Sequence, residues 1–373
     1  MTKTVSDRCF LVEAALVGTM VAWLTAAASA FAADVLGQPS DEAARVALLS
    51  ELRGLPCQIL FEAYDKDNWE LFIMNADGAA KRNLTQTRDI HELYPQASPD
   101  GTKICFLADT EENGATLRRL YYMNTDGTGR MLVADKAREA CWSPDGTRIA
   151  FLKQEFDRFH ITDYVSKGLY FYDLKTGVVT EHPNKELYHL YIPCWSSSGR
   201  PLPGGRIAQW IVSTVHAGMG FSHGILAIEV DGNGVYELPM HGCRPCLSAD
   251  GAKITWSSDD HTVCVADIDL TGVKPEVSNV RTVHHDEVLH LYHPDFSPDG
   301  MYITFSVGPG GRVQAEGPGT HTELAEMIGV RGKWNLYLKR ASGEGPAIPL
   351  TDDESMSNKE SEWLPVRAAG KGP

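Results

Sequence analysis

Short apolar runs rich in β-branched and aromatic residues recur along the chain, each close behind a serine-led turn. KICFLAD (103–109), RIAFLKQ (148–154), RIAQWIVST (206–214), KITWSS (253–258) and YITFSV (302–307) follow five such turns. The turns are Ser98-Pro99-Asp100-Gly101, Ser143-Pro144-Asp145-Gly146, Ser196-Ser197-Ser198-Gly199, Ser248-Ala249-Asp250-Gly251 and Ser297-Pro298-Asp299-Gly300. Pro presets the second position of a type I turn, Asp suits the third and Gly takes the fourth. A second run then ends in a Gly-bearing hairpin turn: LYYMNTDG (120–127), LYFYDLKTG (169–177), ILAIEVDG (225–232), VCVADIDLTG (263–272) and LYLKRASG (336–343). A short fourth run follows, as in GRMLVAD and AIPLTD.

Four strands per unit of roughly 50 residues is the pattern of a β-propeller blade. The ends of the chain complete the ring. QILFEAY (58–64), LFIMNADG (71–78) and KRNLT (81–85) make a blade without its first strand, and NKESEWLP (358–365) supplies one. The predicted fold is all-β, a six-bladed propeller with seven blades as the alternative, whose N- and C-terminal segments close one blade.

Upstream of the repeat, Lys3 and Arg8 precede an apolar run from Phe10 to Ala28 that exits through small residues with A-x-A sites ending at Ala30 and Ala32. This predicts a signal peptide over 1–32 and an exported protein with no membrane span after cleavage; an uncleaved anchor is the alternative. A linker over 33–56, the propeller over 57–365 and a flexible tail over 366–373 complete the domain reading. Forty-nine acidic against 34 basic residues give a net charge of −15, the wrong sign for neutralising phosphates, so nucleic acid is excluded as a partner.

Export is disulfide-permissive, and seven cysteines remain once Cys9 leaves with the signal. Cys105, Cys141, Cys194 and Cys264 sit in apolar runs and read as small buried hydrophobes. Cys243 and Cys246 form a C-x-x-C, but residues three apart in a regular strand face opposite sides unless the chain bulges. A disulfide or buried thiols are expected there. No His follows Cys246, so covalent haem attachment is excluded, and no G-x-S-x-G elbow supports a serine hydrolase.

Aligning the innermost strands on the turn serine places His91, His189, His241 and His290 seven residues upstream in four blades, with Lys136 in the remaining one. His293, Glu139, Arg244 and Glu360 come near the same level. Imidazoles converging on one channel rim suit a divalent transition metal, so these four are the candidate ligands of a metal at the channel mouth. The alternative is a set of repeat-derived structural histidines. No catalytic residue and no resident cofactor is assigned beyond that metal. Three insertions, 155–168, 308–333 (with a short helix expected at Thr322–Ile328) and the loop 216–223, are read as partner-docking loops.

Segments such as LFIMNADG, NLT and YPQASPDGTKICFLAD resemble the repeats of the TolB-like β-propeller family over residues 57–365. That resemblance implies a fold, since such propellers serve as adaptors, peptidase accessory domains and lyases. The channel histidines are similar to those by which oligogalacturonate lyases hold a metal, and Arg138 and Arg244 would then grip uronate carboxylates. EAYDKDNWELFIMNADG, HAGMGF and GCRPCLSADG resemble a planctomycete-type propeller group similar to the β subunit of hydrazine synthase. This implies a haem-free subunit packed beside haem-bearing partners, in the periplasm or an equivalent lumen such as the anammoxosome. The leading expectation is a non-catalytic scaffold subunit of an exported redox complex. A metal-dependent lyase and a TolB-like adaptor are the rivals.

Overall fold

The structure, a computed structural model, describes residues 39–310, 326–353 and 355–366. The expected signal peptide and nearly all of the expected tail lie outside them, as does most of the helix expected at 322–328. The chain divides into two compact units, 1–51 and 52–373. In the described part of the first, α1 (Pro39–Leu52) occupies most of the expected linker. Its AARVALLSEL run has high helix propensity, and Gly54 and Pro56 end it.

The second unit carries 24 strands in six four-stranded antiparallel sheets around a common axis. The first blade holds β1 (Cys57–Asp65), β2 (Asn68–Asn75) and β3 (Arg82–Asn83). The second runs β4 (His91–Ala97), β5 (Lys103–Glu112), β6 (Ala115–Asn124), β7 (Met131–Asp135). The third runs β8 (Ala137–Trp142), β9 (Arg148–Gln154), β10 (Ser166–Asp173), β11 (Val179–Glu181). The fourth runs β12 (Leu190–Pro201), β13 (Ile207–His216), β14 (His223–Glu229), β15 (Val235–Glu237). The fifth runs β16 (Cys243–Leu247), β17 (Lys253–Asp259), β18 (Thr262–Asp269), β19 (Glu276–His285). The sixth runs β20 (His290–Phe296), β21 (Tyr302–Gly308), β22 (Asn335–Arg340), β23 (Ile348–Pro349). β24 (Ser357–Pro365) returns to pair antiparallel with β1, Cys57 opposite Pro365 and Ile59 opposite Trp363. The two ends of the chain thus close one blade, β24 taking its innermost place.

The serine turns work as small polar clamps. Ser98 Oγ donates to Asp100 Oδ1 at 2.8 Å and accepts from Lys103 N at 2.9 Å. The same pair of bonds forms at Ser143, Ser248 and Ser297. Gly101 sits at φ +68°, and a Cβ there would lie 2.0 Å from the Pro365 carbonyl oxygen. Only glycine accommodates that approach of β24. The turn expected at Ser196–Gly199 does not form. Without Pro and Asp, β12 continues through a register shift to Pro201, and the reversal moves to Leu202–Arg206.

Between blades the sheets pack face to face on apolar clusters, for example Trp210, Trp256 and Ile254 between the fourth and fifth blades. Each inner strand carries a register shift, and β12 carries a second one at Trp195–Gly199. The residue four before the turn serine has positive φ in Tyr94, Ile192, Arg244 and His293, and Glu360 is its counterpart on β24. Pro95, Pro193, Pro245 and Pro294 follow four of these five. Pro cannot donate to a ladder and is tolerated on these edge strands at the bulge, which turns the preceding side chain off its regular face.

Candidate functional site

The bulges gather Arg244, His293 and Glu360, all buried, at the middle of the channel. Arg244 Nη1 lies 3.6 Å from Glu360 Oε1, and Nη2 lies 3.3 Å from Asp163 Oδ2 and donates to Glu326 O at 3.1 Å. His293 Nε2 is 3.2 Å from Glu360 Oε2, though not aligned for a hydrogen bond, and its ring meets Tyr94 edge-on at 5.5 Å. Burial holds the His293 pKa below its ordinary value, so the ring is neutral there. Burial opposes the charge on Arg244 too, but Glu360 and Asp163 outweigh it and raise its pKa.

Beyond this level, two segments of the insertions fold into the channel. Arg138 Nη1 donates to His160 O at 2.8 Å and Nη2 to Thr162 O, while the Arg118 guanidinium stacks on Phe159 at 4.9 Å and forks onto Asp109 at 2.8 and 2.7 Å. Lys359 Nζ donates to Met327 O and Val330 O at 2.5 and 3.0 Å. Glu62 accepts from Tyr94 N at 2.9 Å and Gly329 N at 3.4 Å. Thr162, Asp163, Val165, Ile328 and Val330 are all buried. The described ends of the two long insertions are therefore plugs held by buried cations, rather than free docking loops. Burial pushes the Glu62 pKa up to about 7, with Glu360 adding to it, and burial does the same to Glu139. Burial lowers the pKa of Lys359 and of Arg138.

The opposite end, at the serine turns, is open. A cavity of about 270 Å³ is lined by Trp142, Trp195, Trp363, Phe296 and the turn prolines Pro99, Pro144 and Pro298. Gln96, Cys141, Cys194, Cys246, Asp295 and Glu362 also line it; each sits two residues before its turn serine or, on β24, at the matching place. Cys246 Sγ donates to Asp295 Oδ1 at 2.8 Å, and Asp295 Oδ2 accepts from Trp363 N at 3.1 Å. Leu247 N donates to Cys194 Sγ at 3.3 Å, and Ala97 N to Glu362 Oε1 at 3.4 Å. Burial raises Asp295 to about 6, and burial together with Asp295 raises Glu362 further. The hydrogen bond to Cys194, then burial, lifts the Cys246 thiol well above the thiol range. All seven described cysteines are free thiols, and the C-x-x-C spans a register shift between Cys243 and Cys246.

The four aligned histidines are not brought together. His91 Nδ1 accepts from Trp69 N at 3.2 Å; His189 Nε2 meets Glu155 at 2.9 Å and its Nδ1 faces Ala217 O at 3.0 Å. The His290 ring packs edge-on against His261 at 4.9 Å, and His241 is exposed. Among the described residues no group of three or more His, Cys, Asp or Glu side chains is placed to hold a metal. The convergent positions lie instead four and two residues before the serine. The four prolines behind the bulge were their signal in the sequence.

No protein-family model and no curated protein matches the chain. Among solved structures, TolB from Acinetobacter baumannii superposes with a TM-score of 0.55 at 20% identity, over 86% of this chain and 70% of that one. The fold is that of a six-bladed β-propeller, shared with TolB. A chain of Kuenenia stuttgartiensis hydrazine synthase also superposes with a TM-score of 0.55, at 12% identity, over 86% of this chain and 48% of the other. A chain of a nidogen/laminin complex does so at 0.52 and 8% identity, over 84% and 100%. At these identities the propeller architecture is shared and chemistry is not implied. Among the described residues no helix is long and apolar enough to cross a membrane.

Proposed function

We propose that the chain is a non-catalytic binding subunit of an exported, multi-subunit redox assembly of the hydrazine synthase kind, with haem carried by its partners. The observation that supports this reading is the packing of the described insertion segments, 159–165 and 326–330, onto the buried charges of the inner strands. Arg244 is neutralised by Glu360 and Asp163, Arg118 by Asp109, and the plug carbonyls occupy Arg138 and Lys359. Glu139, with its pKa near 7, is fully buried behind them, out of a substrate's reach. A propeller whose insertion segments occupy the buried charges at one end offers its partners the other: the apolar mouth with Asp295 and Glu362 inside it. Aromatic walls around a few placed polar groups are the usual make-up of a binding pocket. The absence of any C-x-x-C-H in the sequence fits a haem-free role.

Native isolation from the source organism, read by subunit composition and haem absorbance, tests the reading. Stoichiometric haem-bearing partners are expected. A monomer that cleaves an anionic polysaccharide would overturn it.

A further inference from the structure

The hairpin joining β13 to β14 ends in two histidines set directly opposite one another, His216 and His223. Ala217 N donates to Ser222 O at 2.6 Å and Phe221 N to Gly218 O at 2.9 Å, so the loop between them is tied by its own backbone. His216 N donates to His189 O at 3.0 Å, and the Tyr164 ring lies on the His216 ring with centroids 4.4 Å apart. Both backbone and ring of His216 are thereby fixed. Across the pair, His216 Nδ1 faces His223 Nδ1 at 3.2 Å, on an exposed surface.

Two nitrogen lone pairs do not face each other at that distance unaided; a proton or a cation must lie between them. A zinc-like ion sits about 2.0–2.1 Å from each imidazole nitrogen. Placed between nitrogens 3.2 Å apart, it would subtend about 100°, close to the tetrahedral preference of such ions. Neutral imidazole donors suit zinc, copper and nickel over magnesium or calcium.

We propose that His216 and His223 bind one divalent transition metal ion, its remaining coordination positions open to solvent. The pair is distinct from the aligned rim set, although His241 is close enough for its charge to be felt at His223. The ion joins β13 and β14 at their loop and leaves the buried ion pairs of the channel untouched. The inference stands independently of the scaffold reading, since it concerns the isolated chain.

The test uses the chain purified without a histidine tag and stripped of metal, titrated with Zn²⁺ by calorimetry and with Cu²⁺ by electron paramagnetic resonance. One ion per chain is expected, with hyperfine coupling to imidazole nitrogen. Binding is lost in His216→Ala and in His223→Gln, the latter keeping a polar side chain at the exposed position, and is retained in His91→Ala and His290→Ala. Circular dichroism confirms that each variant is folded. Absence of stoichiometric binding in the wild type overturns the proposal and leaves a ring-to-ring hydrogen bond only. So does binding that survives both hairpin substitutions.

Discussion

Cys246 and Asp295, from neighbouring blades, share a proton across the channel mouth: the thiol donates to Oδ1 at 2.8 Å. The bond requires the thiol form; the Cys246 pKa is raised well above the thiol range, first by its bond to Cys194, then by burial, with Asp295 adding to both. Nucleophilic cysteines have the opposite environment, with the thiolate favoured by nearby positive charge. In the folded protein at pH 8, Cys246 should resist iodoacetamide although it borders an open cavity. In Asp295→Ala it should label faster, because the acceptor that holds its proton and the neighbouring negative charge are both removed. Mass spectrometry of the tryptic peptides measures both rates.

Glu139 gives the fold a pH dependence. Its folded pKa of about 7 lies above the ordinary value of 4.5, chiefly through burial. A carboxyl raised on folding contributes stability that is fully present below its unfolded pKa and lost as pH rises through the folded one. The window for Glu139 therefore runs from about pH 4.5 to 7. Glu139→Gln removes the titration, so wild type should lose stability relative to the variant as pH rises from 4 to 8. At roughly 1.4 kcal/mol per pKa unit the relative change is on the order of 3 kcal/mol. Urea denaturation of both proteins at several pH values reads it.

Arg244 ties the plug to the ring of inner strands through Asp163 and Glu360. Arg244→Met leaves two carboxylates buried without their cation, a change that costs about 3–5 kcal/mol. Lysine places a single point charge where the guanidinium forks between two partners, so Arg244→Lys should recover only part of the loss. Denaturation midpoints of the three proteins give the comparison. Equal stability of wild type and Arg244→Met would show that the plug is not held this way.

The fold was legible because each blade repeats a turn whose chemistry is local: Ser, Asp and Gly form the same bonds wherever they recur. The closing strand was legible as well, since β24 supplies the inner strand that the first blade lacks. The site was harder to read. Counting seven residues back from each serine assumes an uninterrupted strand, and the bulge at Tyr94, Ile192, Arg244 and His293 breaks that assumption. His91 and Tyr94 would face opposite sides of a regular strand. The extra residue instead sends the His293 and Arg244 side chains to Glu360 at the channel centre. In the sequence Cys141 and Cys194 read as small buried hydrophobes and Cys246 as half of a C-x-x-C, yet all three stand at one position of the repeat. The roles of Asp163 and Glu326 had no signal in the sequence, because an insertion that folds back has no repeat to align with.

On the function proposed above, this propeller engages its partners through the serine-turn mouth. Ala249 is exposed on the lining of that mouth, so Ala249→Arg obstructs it without disturbing the buried ion pairs. The most direct measurement is native mass spectrometry of wild type and Ala249→Arg isolated side by side from the source organism. A wild-type assembly with stoichiometric haem-bearing subunits, and a variant stripped of them, are expected. A wild-type chain isolated as a monomer, or partners retained equally by both, would contradict it.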